Sequence, residues 1–435
     1  MNSAAVVSSV LIGVPLLGAL LCLAFWSNPD RLKFCSVAVA MATLGAAGLA
    51  GILTYLPENH LFFFALPLAA LVSILGQPAH PLHRSSWVLT LVFLGLGLGF
   101  LTQRGLTGAS FLIAIVGLTA GLLYRHHSPL WPMSWWGIGA YSVAVVMAGV
   151  TALAEPPLSA IASLLGGAVL LPLMPLHAGY LAALTRLRGN LPPFLATLLP
   201  IAGLHSLARS IAVVPEFVAV GLSVLALISA VYGTMKALAQ SRVRLRFAYG
   251  SLSFYSLMWW FAATTRSVEP GALVFVGAVA LVTCGLLIAW QVVRTRYGDD
   301  VDPQSISGLA AGMPQYAVLF SLMSLAAIGL PPFGVFAGFV GLLLSPALSF
   351  SFALSIILAV WLAASWYILD MVQRLLFGSP RSDLRHTDLV QAERASLILV
   401  VLALLALGVL PTYFFGVGTE TTTTSTEIGL ASWKK

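Results

Sequence analysis

The chain has 435 residues, of which 59% are hydrophobic and only 8% charged, with a formal net charge of +7 and a mean hydropathy of +0.98. Soluble domains carry about a quarter charged residues, so the composition excludes a soluble domain of any size. Basic residues scattered among short loops exclude a nucleic-acid surface, and runs such as 397–406 lack the alternation that a transmembrane β-barrel needs. What remains is an all-α polytopic membrane protein.

Apolar segments of crossing length, about 20 residues, fall in chain order at 7–26, 33–55, 62–78, 86–102, 108–124, 134–154, 158–184, 192–213, 217–240, 246–265, 271–292, 314–344, 347–373 and 395–416. They predict about fourteen transmembrane helices. Met1 to Ala5 precede the first segment without a basic residue, which argues against a cleaved signal peptide. Three N-terminal helices occupy 1–80, two five-helix units occupy 86–213 and 217–378, a C-terminal helix occupies 393–416, and a polar tail runs from 417 to 435. Cys22, Cys35 and Cys284 are isolated, without disulfide or metal spacing.

Loop charges orient the chain. With the N-terminus outside, sixteen Lys and Arg fall on inward loops and inner helix ends; Arg104, Arg209, Arg266, Lys434 and Lys435 fall outside. That asymmetry predicts an even number of spans with both termini outside a bacterial-type inner membrane.

Two segments are too long for simple spans and contain prolines: the seventh carries Pro172 and Pro175, the twelfth Pro331 and Pro332. Proline removes an intrahelical hydrogen bond and clashes with the preceding turn. Interruptions at matching places in two halves point to an inverted-repeat core, here helices 4–8 and 9–13 with broken helices 7 and 12. The plainer reading is two kinked helices.

Few polar groups lie inside the spans. His177, just after the first break, reads either as a proton relay or as a histidine satisfying carbonyls that Pro172 and Pro175 free. His205 and Arg209 lie one helical turn apart and would form an outer channel mouth, or Arg209 snorkels outward and His205 packs. Lys236 is the one lysine placed deep in a span, as a proton carrier or as a group snorkelling toward Arg242, Arg244 and Arg246 at the inner interface. Asp370 and Arg374, four apart, read as an inner-interface ion pair or a conduction exit. Trp135-Trp136 and Trp259-Trp260 read as aromatic-belt residues, and His126-His127 as an inner-loop pair. No phosphate loop, metal-spaced Cys/His set or Ser-His-Asp arrangement appears, so no catalytic residue, metal or cofactor is expected.

Five landmarks fall in a fixed order: Pro175-Leu176-His177; residues 239–249 with Ala239-Gln240 and Ala248-Tyr249; Gly308-Leu309 with Met313-Pro314; Gly329 through Gly334; and Trp366-Tyr367 through Gly378. Together they resemble the antiporter-like membrane subunits of respiratory complex I, shared with Mrp-type cation/proton antiporters and membrane-bound hydrogenases. The resemblance covers roughly residues 100–416. It implies a subunit of an energy-coupled membrane complex that moves protons or monovalent cations. NADH, quinone or hydrogenase chemistry would come from redox subunits. Dab-type inorganic-carbon uptake systems, paired with a carbonic-anhydrase-like zinc subunit, belong to the same family.

The family conducts protons through buried Lys, Glu and His. At the positions the resemblance assigns to them stand Leu170, Pro200-Ile201, Val279 through Cys284, and Val340-Gly341, with Thr119 in place of the fifth-helix Glu. A buried ionisable group costs about 2.5–3.5 kcal/mol at the helix centre on insertion scales, so its loss removes that cost and, by the same step, a proton carrier. Three readings stay open: an ion-translocating subunit, a non-conducting structural partner, and an inorganic-carbon uptake subunit.

Overall fold

The computed structural model describes residues 3–52, 60–125, 133–298, 306–345, 352–378 and 387–410. His126, His127, Arg381, Arg385, Lys434, Lys435 and the 417–435 tail lie outside the described residues. The described residues form seventeen α-helices and one 3-10 turn, Pro81–His83. In order the helices are α1 (Ser3–Leu23), α2 (Pro29–Ile52), α3 (His60–Leu75), α4 (Arg84–Thr102), α5 (Gly105–Arg125), α6 (Met133–Leu153), α7 (Leu158–Leu170), α8 (Ala178–Arg186) and α9 (Leu191–Ser210). There follow α10 (Glu216–Ala239), α11 (Val243–Thr265), α12 (Pro270–Tyr297), α13 (Leu309–Gly312), α14 (Pro314–Ile328), α15 (Gly334–Leu343), α16 (Phe352–Leu376) and α17 (Gln391–Val409). Ten spans are long and apolar enough to cross a membrane, and α3, α7, α14 and α15 supply shorter apolar lengths. The protein is multi-pass and all-α among the described residues.

Position in the bundle follows from which faces are covered. The spans of α9 and α12 are each 94% buried, whereas those of α1, α2, α6 and α16 are only 28% buried and turn leucine, valine and aromatic faces outward. An apolar face needs no protein cover in hydrocarbon, so the outer helices keep theirs exposed. α12, with 28 residues the longest, packs against α9, α11, α15 and α17.

Two tryptophans overturn a sequence expectation. Trp259 and Trp260 are buried at 0% and 4% exposure, while Trp135 and Trp136 are exposed. Repeated indoles signal an interface only when their faces reach it, and α11 is covered by α10, α12 and α8. Helix α11 also begins at Val243, one turn before the predicted 246, taking Arg244 and Arg246 into its first turns.

The helix ends nearest Arg296 are tied together. Arg296 donates to both carboxylate oxygens of Glu393 at 2.7 and 3.3 Å and to the carbonyls of Thr387 and Asp388. Asp388 in turn accepts the Gln315 and Tyr316 amides at 2.8 and 3.2 Å, capping the start of α14. One loop thereby joins α12, α14 and α17. Elsewhere the Lys33 ammonium donates to the Leu75 and Gln77 carbonyls where α3 ends, as the negative end of a helix favours.

Candidate functional site

The two interrupted helices are the places where backbone polarity enters an apolar core, and each must be satisfied by protein. α7 ends at Leu170 and α8 begins at Ala178, with Pro172 and Pro175 between them. Neighbouring side chains take up the freed groups. The Trp259 indole donates to the Leu171 carbonyl at 2.9 Å. The Ser229 hydroxyl accepts the Met174 amide at 3.1 Å and lies 2.8 Å from the Ser256 hydroxyl. Tyr180, on α8, pairs with Ser251 at 3.1 Å, and Thr234 with Ser253 at 2.6 Å. A Cβ at Gly203 would lie 2.3 Å from the Leu171 amide nitrogen, so a residue without a side chain lets α9 lie directly against the break.

At the second interruption, α14 ends at Ile328 and α15 starts at Gly334, with Pro331 and Pro332 between. Here the chain satisfies itself. Gly329, at φ +79°, and Leu330 return their amides to the Ala326 and Leu325 carbonyls at 3.1 and 3.2 Å, the paired bonds of a Schellman ending. Aromatic rings close the space around it: Phe339 stacks on Trp361 with centroids 3.8 Å apart, and Phe254 meets the same indole edge-on at 5.2 Å. A Cβ at Gly408 would stand 1.8 Å from the Pro332 carbonyl oxygen, so α17 lies directly on this break.

The remaining candidates scatter. His177 precedes α8, its ring edge-on to Tyr232 at 5.5 Å and tilted to Tyr249 at 6.4 Å; its Nδ1 is buried without a partner among the described residues. His205, 6% exposed, has both ring nitrogens in that condition and packs edge-on against Phe100 at 5.2 Å. Thr119 is fully buried and donates to the Ile115 carbonyl of its own helix at 2.7 Å. Lys236 lies on the exposed face of α10, its ammonium 5.8 Å from the centre of the Tyr232 ring. It is therefore not deep in the core: its helix presents that side outward.

Asp370 joins two elements, bound by Arg374 on its own helix at 2.7 Å and by Arg246 of α11 at 3.4 Å. Arg246 also donates to the Gln240 carbonyl at 3.0 Å and Arg244 to that of Thr185 at 3.3 Å, while Arg242 sits at the start of α11. Sequence reading missed Ser229, Ser256, Ser251 and Trp259 as partners of the first break. Three serines within six residues of an apolar segment were the available signal.

Residues 158–365, holding both interruptions, match the family model described as NADH:quinone oxidoreductase/Mrp antiporter, TM. The NADH-quinone oxidoreductase subunit 13 of Thermus thermophilus is 31% identical over 269 residues, 57% of this chain and 53% of that protein. An NAD(P)H-quinone oxidoreductase chain 4 of Synechococcus is 28% identical over 266 residues, 58% and 50% of the two chains. Over these residues the chain is similar to the antiporter-like membrane subunits of this family. It spans about half the length of the curated relatives it matches. A chain of the membrane-bound sulfane sulfur reductase, an archaeal respiratory membrane complex, shares the fold, with a TM-score of 0.79 at 19% identity over 94% of this chain and 95% of that one.

Most positions where the resemblance expects ionisable groups are apolar, with Thr119 and Thr283 as hydroxyl-bearing exceptions. Leu170 and Ile201 are both 0% exposed, and Val279 and Cys284 are buried on α12. Val340 is half-buried on α15.

Proposed function

We propose that this chain is the antiporter-like subunit of a multi-subunit, energy-coupled complex in a bacterial-type inner membrane, and that its own core carries little or no proton flux. The observation that carries the reading is the complete burial of leucine and isoleucine at positions 170 and 201. Neither side chain can bind a proton, and the hydroxyls around the first break cannot hold one near neutral pH. Pro172, Pro175, Pro331 and Pro332 then shape two breaks of an inverted repeat, residues 86–213 and 217–378, with both termini outside. Redox subunits, or a carbonic-anhydrase-like zinc subunit in an inorganic-carbon uptake complex, would supply the chemistry this chain lacks. Relatives named as quinone-oxidoreductase chains favour the redox partner.

The test is the purified chain in sealed vesicles under an imposed pH gradient, beside identification of the proteins that co-purify in mild detergent. The expected outcome is no flux above empty vesicles and a stable stoichiometric partner. A second reading, conduction through His177 and His205, draws on the unpartnered Nδ1 of His177 and the two unpartnered ring nitrogens of His205 among the described residues. It requires flux that disappears in His177→Gln and in His205→Gln.

A further inference from the structure

A cavity of about 520 Å³ opens between α4, α5, α6, α7 and α9, at the end of the bundle that carries Arg104 and Arg209. Its size falls in the range of small-molecule sites, about 300–1,000 Å³. Both arginines line it, and no Asp or Glu does. Neither guanidinium forms an ion pair among the described residues; Arg209 makes one long bond, 3.5 Å, to the Gln103 carbonyl. Glu155, the acidic residue nearest in sequence to the wall residue Pro156, is exposed and outside the lining.

The other polar groups leave the cavity just as short of negative charge. Ser163, Ser206, Ser210 and Thr151 donate their hydroxyl protons to backbone carbonyls. The first turns of α5, through Gly105 and Gly108, and of α7, through Ser159 and Ala160, border the same space. Helix N-termini carry partial positive charge, although the Gly108 and Ser159 amides are themselves bonded to the Arg104 and Glu155 carbonyls. Deeper along α4, α5 and α6 the wall is apolar, with Phe100, Leu112 and Ala148.

Two uncompensated guanidinium groups above an apolar chamber fit an anionic head with hydrocarbon attached. Guanidinium pairs with phosphate through two parallel hydrogen bonds. We propose that the cavity binds a phosphate-type anion through Arg104 and Arg209, carried by an anionic phospholipid whose chain enters the apolar part or supplied as a free oxyanion. The site is independent of whether the core conducts.

The experiment follows the melting temperature of the full chain in neutral detergent during titration with phosphatidylglycerol, phosphatidylcholine or inorganic phosphate. A ligand that binds only the folded state stabilises it by RT ln(1 + L/Kd), where L is the free ligand concentration, so that temperature climbs with the logarithm of ligand concentration once the site begins to fill. Phosphatidylglycerol should produce a rise that grows with the logarithm of its concentration, and phosphatidylcholine none. The double variant Arg104→Gln/Arg209→Gln should lose the rise, and so should Ala152→Phe, which fills the cavity and keeps both arginines. A rise produced equally by inorganic phosphate identifies the source as a free oxyanion and supports the site. No rise with either anion overturns it. So does a rise that Ala152→Phe retains, because the anion would then sit on surface arginines outside the cavity. If the double variant does not fold, Ala152→Phe decides the matter.

Discussion

The two broken helices solve one physical problem in opposite ways. At the first, between α7 and α8, the freed backbone groups are met by side chains from other helices, Trp259 from α11 and Ser229 from α10. At the second, between α14 and α15, a Schellman ending returns the amides locally, and Trp361, Phe339 and Phe254 fill the surrounding space. The half with the first break holds the 520 Å³ cavity; beside Phe254 and Tyr367 the second half has a void of only about 20 Å³. The first break depends on its neighbours' polarity, and the second on its own turn and on packing. In the second half the strongest polar contacts lie instead at the helix ends, around Arg296.

That contrast can be broken by substitutions of decreasing weight, read as thermal unfolding in one detergent. Arg296→Gln should be the most damaging, because it leaves the Glu393 carboxylate, 9% exposed in the native pair, buried without its partner. Breaking such a pair by removing one member costs about 3–5 kcal/mol. A loss below 1 kcal/mol would show that the helix-end loop does not hold the second half together.

Gly203→Ala comes next. Its methyl would meet backbone at Leu171 rather than a movable side chain, and overpacking of this kind costs about 1–3 kcal/mol. Gly121→Ala on α5, where nothing lies within 4 Å, should be neutral or stabilising, since alanine is the better helix former by about 1 kcal/mol. Equal effects at the two positions would remove the close approach from the account.

Ser229→Ala sharpens the comparison most directly. It strands the Met174 amide, and a buried donor without a partner costs about 1–3 kcal/mol. Ser324→Ala on α14 removes a hydroxyl that bonds only the Phe320 carbonyl of its own helix and should change stability by under about 0.5 kcal/mol. If the two serines behave alike, the first break does not depend on its neighbours.

The smallest effect is expected for Arg374→Gln. Arg374 is 52% exposed and Asp370 keeps Arg246, so the loss should stay within about 1 kcal/mol. A larger value would mean that Asp370 holds α11 and α16 through Arg374 rather than through Arg246.

Much of this architecture is legible along the chain because hydrocarbon length and proline chemistry act locally. Pro172, Pro175, Pro331 and Pro332 announce interruptions wherever they stand in an apolar run, and the charged ends of α11 and α12 are visible as arginine clusters. Trp259 shows where such reading fails. A tryptophan near a helix end has the same signature whether its indole meets headgroups or a buried carbonyl, and only the packing of α8, α10 and α12 around α11 separates the two. Lys236 meets the same limit: its depth along α10 can be counted, but whether it snorkels or is buried depends on what packs beside it, and its exposed side agrees with snorkelling.

The residues alone therefore settled that the chain is helical, membrane-embedded and interrupted twice, since each follows from transfer energies and from the missing amide of proline. Tertiary structure decided which groups satisfy those interruptions, that Asp388 caps a helix more than seventy residues away, and that Arg104 and Arg209 share one cavity. Such contacts join residues far apart in sequence, and their energies depend on distance and burial, which no local pattern encodes.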